Sequence, residues 1–312
     1  MRVYRSLEEI ADLGSTPRAV AIGVFDGVHV GHQAIIGMAV EAAAAMGGVS
    51  TVVTFEPHPE AVLHKKHPPP TITPLELKID LLERIGVQEV VAVPFDEEFA
   101  SLGAEEFCRR LLSLRLGARQ VLVGDNFRFG RGGAGTPADL LAFGQEQGFA
   151  VKAISLVQDD GLAVSSTRIR SLIERGELEE ASRLLGRPHV LVGRVVPGAG
   201  RGRKLGMPTA NIEPPPGVVI PALGVYVTRV RLERGMAEAS VTSVGTNPTF
   251  ECDNVVRIET FLLDFKGSLY DQTIELEFLS RLRGQRTFPD PGSLVAQMER
   301  DVTRAREYVS RS

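Results

Sequence analysis

The chain has 312 residues, of which 43% are hydrophobic and 24% charged, a length at which a single hydrophobic core gives way to two. Its 35 basic and 39 acidic residues leave a net charge of −4, which excludes a general attraction to nucleic acid, and no apolar run approaches the ~18 residues that a membrane span requires. The opening MRVYRSLEEI places acidic residues where a signal peptide needs an apolar stretch, and Cys108 and Cys252 lie far apart, outside any metal-ligand spacing. These features predict a cytoplasmic protein, monomeric or weakly homo-oligomeric, with small-molecule partners, no nucleic acid and no membrane, and with both cysteines as packing residues.

The first elements alternate in type: AVAIGVF (19–25), a helical stretch from Gly31 to Met46, then VSTVVTF (49–55), which is a βαβ pattern. A second helix is signalled by Thr73 as N-cap, Pro74 at the first helical position, Glu76 completing a capping box, apolar Leu75, Ile79 and Leu82, and Gly86 beyond its end. Strands are predicted at QEVVAVPF (88–95), RQVLVGDNF (119–127) and FAVKAISLV (149–157), separated by helical stretches at about 101–116 and 137–147. Their near-continuous apolar runs favour a doubly wound, Rossmann-like parallel sheet covered on both faces.

A last helical stretch, RIRSLIERGELEEASRLLG (168–186), is stopped by Gly186 and Pro188, and the boundary between two domains, 1–186 and 187–312, is placed there. Beyond it come short strands broken by Gly and Pro: VLVGRVV, GVYVTRVRL, ASVTSVG, VVRIETFLLDF and TIELEFLSRL. They predict a small antiparallel β-barrel. A closing helix presents Leu294, Met298, Val302 and Ala305 on one face, which packs against that barrel.

Chemistry concentrates first in GVFDGVHVGH (23–32), which leaves a strand, turns through Gly27 and Gly31, and sets His29 and His32 three residues apart at a helix start. A helix N-terminus offers free N–H groups and a partial positive charge, Gly31 admits a phosphate, and imidazole donors stabilise charge on a transferring phosphoryl group. A bare H-x-x-H also suits a helix cap or a metal site. A second helix start, SSTRIR (165–170), combines three hydroxyls with Arg170 in its first turn, an arrangement that suits either plain capping or a second phosphate grip. TFEPHP (54–59) and GDNFRFGRGGAG (124–135) are the remaining unusual loops, while His64 and His67 belong to no motif and are expected to be solvated.

The wording GxFDGxHxGH resembles the HxGH signature of the nucleotidyltransferase superfamily, and its FDG that of the FAD synthetase branch of bacterial bifunctional riboflavin kinase/FAD synthetases. By that resemblance Gly23, Phe25, Asp26, Gly27, Gly31, Ser165, Ser166 and Thr167 bind ATP, and Phe55, Pro57, His58, Pro59, Asn126 and Arg128 line the flavin site. His29, His32 and Arg170 then serve the α-phosphate. The attacking FMN phosphate is already ionised at neutral pH, so adenylyl transfer needs positioning and charge stabilisation, with Mg²⁺ offsetting the triphosphate, rather than a strong base.

In the second half, GRVVPGAGRGRKLGMPTANI (193–212) interleaves glycines with Arg201, Arg203 and Lys204, a loop able to fold over phosphates but lacking the GKS/GKT ending of a P-loop. PTAN (208–211) reads in isolation as a turn, yet Thr209 and Asn211 carry hard oxygen ligands suited to Mg²⁺. Glu259 lies in RIETFLLDF, where strict alternation would let it face solvent. Together with PALGVYV, VGTNPTF, LLDFKGSLY and LSRLRGQRTF, these segments resemble the riboflavin kinase module, whose fold is a six-stranded barrel.

That resemblance implies Thr209 and Asn211 at Mg²⁺, Arg201, Lys204 and Gly206 at the nucleotide, Glu259 as the base for a neutral ribityl hydroxyl, and Arg283 near flavin or phosphate. The cofactor set is ATP and Mg²⁺, with riboflavin, FMN and FAD as substrates and products. Three positions depart from the family: Met207 and His189 replace aromatics, and Asp271 replaces a glycine. The competing readings are another HxGH nucleotidyltransferase fused to a flavin-sensing regulatory barrel, and a flavin-binding regulator without catalysis.

Overall fold

The computed structural model describes residues 1–10, 13, 16–63, 68–198, 202, 206–232, 237–246 and 256–311. By packing they form two compact units, Met1–Ser166 and Thr167–Ser312.

The first unit is built on six parallel strands: β1 (Arg2–Tyr4), β2 (Arg18–Ile22), β3 (Val49–Glu56), β4 (Glu89–Pro94), β5 (Ala118–Gly124) and β6 (Ala150–Ile154). Their order is β1-β4-β3-β2-β5-β6. The chain therefore runs outward from β2 through β3 to β4, then crosses back to place β5 on the other side of β2. The sheet reverses direction between β2 and β5, the crevice where open α/β sheets bind ligands outside the carboxyl ends of their strands. β2 is buried along its whole length, as the apolar run predicts, but β6 is an edge strand, largely exposed and shorter than its sequence signal.

Helices α1 (Val30–Ala45), α2 (Pro59–Leu63), α3 (Leu75–Ile85), α4 (Glu97–Ala100), α5 (Ala104–Phe107) and α6 (Pro137–Gln147) connect the strands, with a π-helical segment, Cys108–Arg115, continuing α5. The expected helix at 101–116 is thus a short α-helix followed by a π-helix. Thr136 caps α6 with a complete capping box through Asp139. The capping box expected at Thr73 is not formed: Pro74 takes the cap position, and Glu76 is bound instead by Arg5 at 2.9 Å. The Asp26 carboxylate accepts the N–H groups of Ile72 and Thr73 and holds that approach to α3. Gly86 ends α3 in the left-handed region at φ 98°, as expected. Phe55, Phe95, Phe99, Phe107 and Phe129 follow one another ring to ring through one side of the core.

A two-stranded hairpin, β7 (Gln158–Asp159) with β8 (Leu162–Ala163), precedes α7 (Ser166–Arg175) and α8 (Leu178–Leu185). The single helical stretch expected over 168–186 is therefore two helices, separated at Gly176, with Gly186 capping the second at φ 70°.

The second unit closes six antiparallel strands into a barrel: β9 (His189–Val196), β10 (Ala210–Glu213), β11 (Gly224–Arg231), β12 (Ala237–Gly245), β13 (Arg257–Leu262) and β14 (Thr273–Gly284), in the order β10-β13-β12-β11-β14-β9. β9 pairs back onto β10, which leaves no free edge. PTAN is thus the entry into a strand rather than a turn. Tyr226, Leu276 and Phe278 are fully buried, beside a chain of buried hydroxyls in which Thr228 meets Ser240 at 2.8 Å and Thr242 at 2.7 Å, and Thr242 meets Thr260 at 2.9 Å. Each hydroxyl satisfies another, so burial costs little. The closing helix α9 (Pro291–Val309) lays Val302, Ala305, Tyr308 and Val309 against Val227, Val241, Phe261 and Leu263, the barrel contact its apolar face predicts.

Candidate active sites

β2 ends at Ile22, and the chain turns before α1 begins at Val30. In that turn Phe25, Gly27 and Val28 have φ of 50°, 89° and 42°, and non-glycine residues there store strain of order 1–3 kcal/mol each. The strain is sustained by fastening the turn's carbonyls. Thr54 Oγ1 and Lys78 Nζ both donate to the Val24 carbonyl at 2.9 Å, Ser166 Oγ to that of Asp26 at 2.8 Å, and Gln33 Nε2 to that of Val28 at 2.8 Å.

His29 is the N-cap of α1, its Nδ1 accepting the His32 N–H at 3.2 Å. A neutral His29 ring consequently carries its proton on Nε2, as a donor. The two imidazoles stack with centroids 3.5 Å apart and planes 18° apart, and Phe25 meets His32 edge-on at 5.2 Å. A Cβ at Gly31 would stand 3.3 Å from the His29 ring, so glycine gives that ring its place over the helix start. Burial first, then the charges of His29 and Lys78, hold the His32 pKa well below the usual imidazole range, so this ring is neutral at pH 7. Its Nδ1 is buried without a hydrogen-bond partner among the described residues.

The other first-unit segments named from sequence leave the same edge of the sheet. Phe55 is buried at the carboxyl end of β3, followed by the cis Glu56–Pro57 bond, His58 and Pro59, with His58 Nδ1 accepting the Glu60 N–H. Exposed Asn126 and Arg128 follow β5. β2, β3 and β5 are adjacent, so the loops that carry Gly23–His32, Phe55–Pro59 and Asn126–Arg128 issue side by side. Ser166 joins them through Asp26, and Thr167 is exposed at the start of α7. Arg170, buried, stands one full turn inside α7 rather than in its first turn, because the helix begins at Ser166.

On the barrel, one cross-strand row runs through Val196, Asn211, Glu259, Ser243, Val225 and Arg283, each paired directly with the next. Directly opposed residues of antiparallel strands project to the same side. Buried Ile258 and Thr260 flank Glu259, so this row faces outward, as the alternation allowed. Thr209 Oγ1 donates to Glu259 Oε2 at 3.4 Å. A Cβ on Gly198 would fall 1.9 Å from Asn211 Nδ2, so glycine is what admits the Asn211 side chain. Arg283 lies three strands from Glu259, roughly 14 Å along the wall at the usual strand spacing. Its guanidinium is held by Asp301 of α9 at 2.8 Å. Gly206 has a φ of 79°, while Arg201 and Lys204 lie outside the described residues, as do His64, His67 and Cys252. Cys108 is fully buried, and burial pushes its thiol pKa up to about 12, which fits packing.

Comparison with known proteins bears on both halves. The FAD synthetase family model matches residues 14–168 and the riboflavin kinase model residues 185–309. The bifunctional riboflavin kinase/FMN adenylyltransferase of Listeria monocytogenes is 35% identical over 94% of this chain and 93% of its own length, and that of Pseudomonas fluorescens 38% identical over 93% of each. The chain belongs to the bifunctional riboflavin kinase/FMN adenylyltransferase family. A solved Streptococcus pneumoniae structure named as a macrolide-efflux protein also matches, at 32% identity and TM-score 0.87, over 98% of this chain and 99% of that one. Among the described residues no helix here is long and apolar enough to cross a membrane. Membership disfavours the regulatory-barrel alternative.

The family departures find physical settings. Asp271 has a φ of 65°, a conformation natural to glycine, and its carboxylate pairs with Arg194 at 2.7 Å. His189 is buried and stacks on Phe278 at 5.9 Å, the packing an aromatic would provide. Sequence reasoning missed Lys78, Thr54 and Ser243. Lys78 carried a signal, since it shares the stripe of Leu81 and Leu82 on the buried face of α3.

Proposed function

We propose that this chain phosphorylates riboflavin with ATP, giving FMN and ADP, and then transfers the adenylyl group of a second ATP to FMN, giving FAD and pyrophosphate. The observation that carries the reading is the match of one family model to each half, with each half holding its own polar cluster. The domain boundary at 186/187 is supported by the start of the riboflavin kinase model at residue 185, while packing divides the chain at 166/167.

In adenylyl transfer an oxygen of the FMN phosphate bonds to the α-phosphorus as the bond to the pyrophosphate oxygen breaks. His29 Nε2–H and the neutral His32 ring, set at the N-terminus of α1, donate to the α-phosphate as its charge redistributes. Gly23, Phe25, Asp26, Gly27 and Gly31 shape the ATP side of the turn, Ser165, Ser166 and Thr167 add hydroxyls, and the motif assigns Arg170 to the same phosphates. Phe55, Pro57, His58, Pro59, Asn126 and Arg128 border the flavin.

In the kinase step the ribityl hydroxyl bonds to the γ-phosphorus, its proton passes to Glu259, and ADP leaves. The hydroxyl of Thr209 and the amide oxygen of Asn211, set beside the Glu259 carboxylate, are hard donors that fit Mg²⁺, which takes few protein ligands and keeps waters and phosphate oxygens. Mg²⁺ would neutralise triphosphate charge. Arg201, Lys204 and Gly206 belong to the nucleotide flap, and Arg283 to the far end of the flavin. On this reading the enzyme is cytoplasmic and monomeric or weakly associated, and the acidic net charge supports the lack of a nucleic-acid partner.

The test is to incubate the purified protein with riboflavin, ATP and Mg²⁺ and to separate the flavins by chromatography. FMN followed by FAD is expected; bound but unaltered riboflavin would refute the reading.

A further inference from the structure

The region beneath the histidine turn holds a charged group that the mechanism above does not use. Lys78 is 3% exposed, and its ammonium donates to the Val24 carbonyl at 2.9 Å and to Thr54 Oγ1 at 3.2 Å. Thr54 Oγ1 donates in turn to the same Val24 carbonyl at 2.9 Å. Three groups from α3, β3 and the turn thus close one knot directly before Phe25, the first left-handed residue of the strained segment. An ammonium loses several kcal/mol of hydration on burial, a cost that its carbonyl and hydroxyl partners and the charges of Asp26 and Glu56 must offset. Such a cost persists where a fixed positive charge is useful.

We infer that Lys78 is a positioning residue for adenylyl transfer: its buried ammonium pins the Val24 carbonyl beneath the phosphate turn and adds positive potential to the triphosphate site. This rests on the adenylyltransferase reading of the first unit. The titratable groups facing His32 are His29 on its own helix and Lys78 on α3; those facing Lys78 are Asp26 on the turn and Glu56 at the end of β3. Burial lowers the Lys78 pKa while the two carboxylates raise it, and the same lysine charge helps to hold His32 neutral.

The test compares wild type with Lys78→Met in the full chain. FMN adenylylation is expected to fall at least tenfold in kcat, with riboflavin phosphorylation by the same molecule within twofold of wild type. By ¹⁵N NMR the His32 imidazole is expected to titrate at a higher pH in the variant, a change that a merely structural lysine would not produce. Lys78→Gln keeps a donor for the Val24 carbonyl and removes only the charge; it carries the test if Lys78→Met fails to fold. Wild-type kcat, or an unmoved His32 titration in the folded variant, overturns the proposal. Failure of the wild-type protein to make FAD would instead sink the reading on which it rests.

Discussion

His189 stands where the family commonly has an aromatic, and the structure turns that difference into a pH effect. Burial, and then the charge of Arg187, lower its pKa to about 3 from an ordinary 6.5, while a hydrogen bond with the Val219 backbone partly opposes the shift. The folded ring stays neutral where the unfolded ring takes a proton. The contribution of this neutral ring to second-unit stability is therefore full above pH 6.5 and is lost progressively as the pH falls toward 3. By pH 5 the loss is about 2 kcal/mol. His189→Phe should flatten that slope, as read from denaturant midpoints between pH 7 and 5; an unchanged slope would contradict it. Gly198 makes a second prediction at this scale. A methyl group 1.9 Å from Asn211 Nδ2 must displace that side chain, so Gly198→Ala should lower kinase kcat/KM at least tenfold while FMN-to-FAD conversion is unchanged. Of the residues that form the two clusters, His29, His32, Thr209, Asn211 and Glu259 were legible because short motifs carry them. Lys78 and Asp301 were less so: Lys78 shares the stripe of Leu81 and Leu82, but nothing in the sequence reveals the partner of either lone charge.

Among the elements, α9 does more than cover an apolar face. Its Asp301 is 1% exposed and takes the Arg283 guanidinium through Nε and Nη2, with Gln297 Nε2 donating to the same carboxylate at 2.9 Å. Removing one partner of a buried pair leaves the other uncompensated, so Asp301→Asn should cost about 3 kcal/mol of barrel stability in urea unfolding. A loss below 1 kcal/mol would show that solvent already screens the arginine. The apolar face of α9 was legible from Leu294, Met298, Val302 and Ala305, but this ion pair was not, since its two members lie 18 residues apart on different elements. Boundaries shifted where local chemistry competed: Pro74 rather than Thr73 stands at the cap of α3, and Gly176 divided the predicted stretch in two. The three-residue β1 is too short to carry a period and is fixed only by pairing with β4.

For the molecule as a whole, the change from alternating helix and strand to short antiparallel strands was legible because the two architectures impose different periods on the sequence. Strand order was not. The placement of β2 at the reversal point of the sheet follows from which neighbours pair, and that placement sets the histidine turn in the crevice. The proposed function requires two chemically separate sites in one chain. Its most direct measurement is a paired flavin analysis by chromatography of His29→Ala and Glu259→Gln, each supplied with ATP, Mg²⁺ and either riboflavin or FMN. His29→Ala is expected to convert riboflavin to FMN and stop there, whereas Glu259→Gln is expected to leave riboflavin unchanged yet still convert FMN to FAD. Loss of both conversions in either folded variant would contradict it.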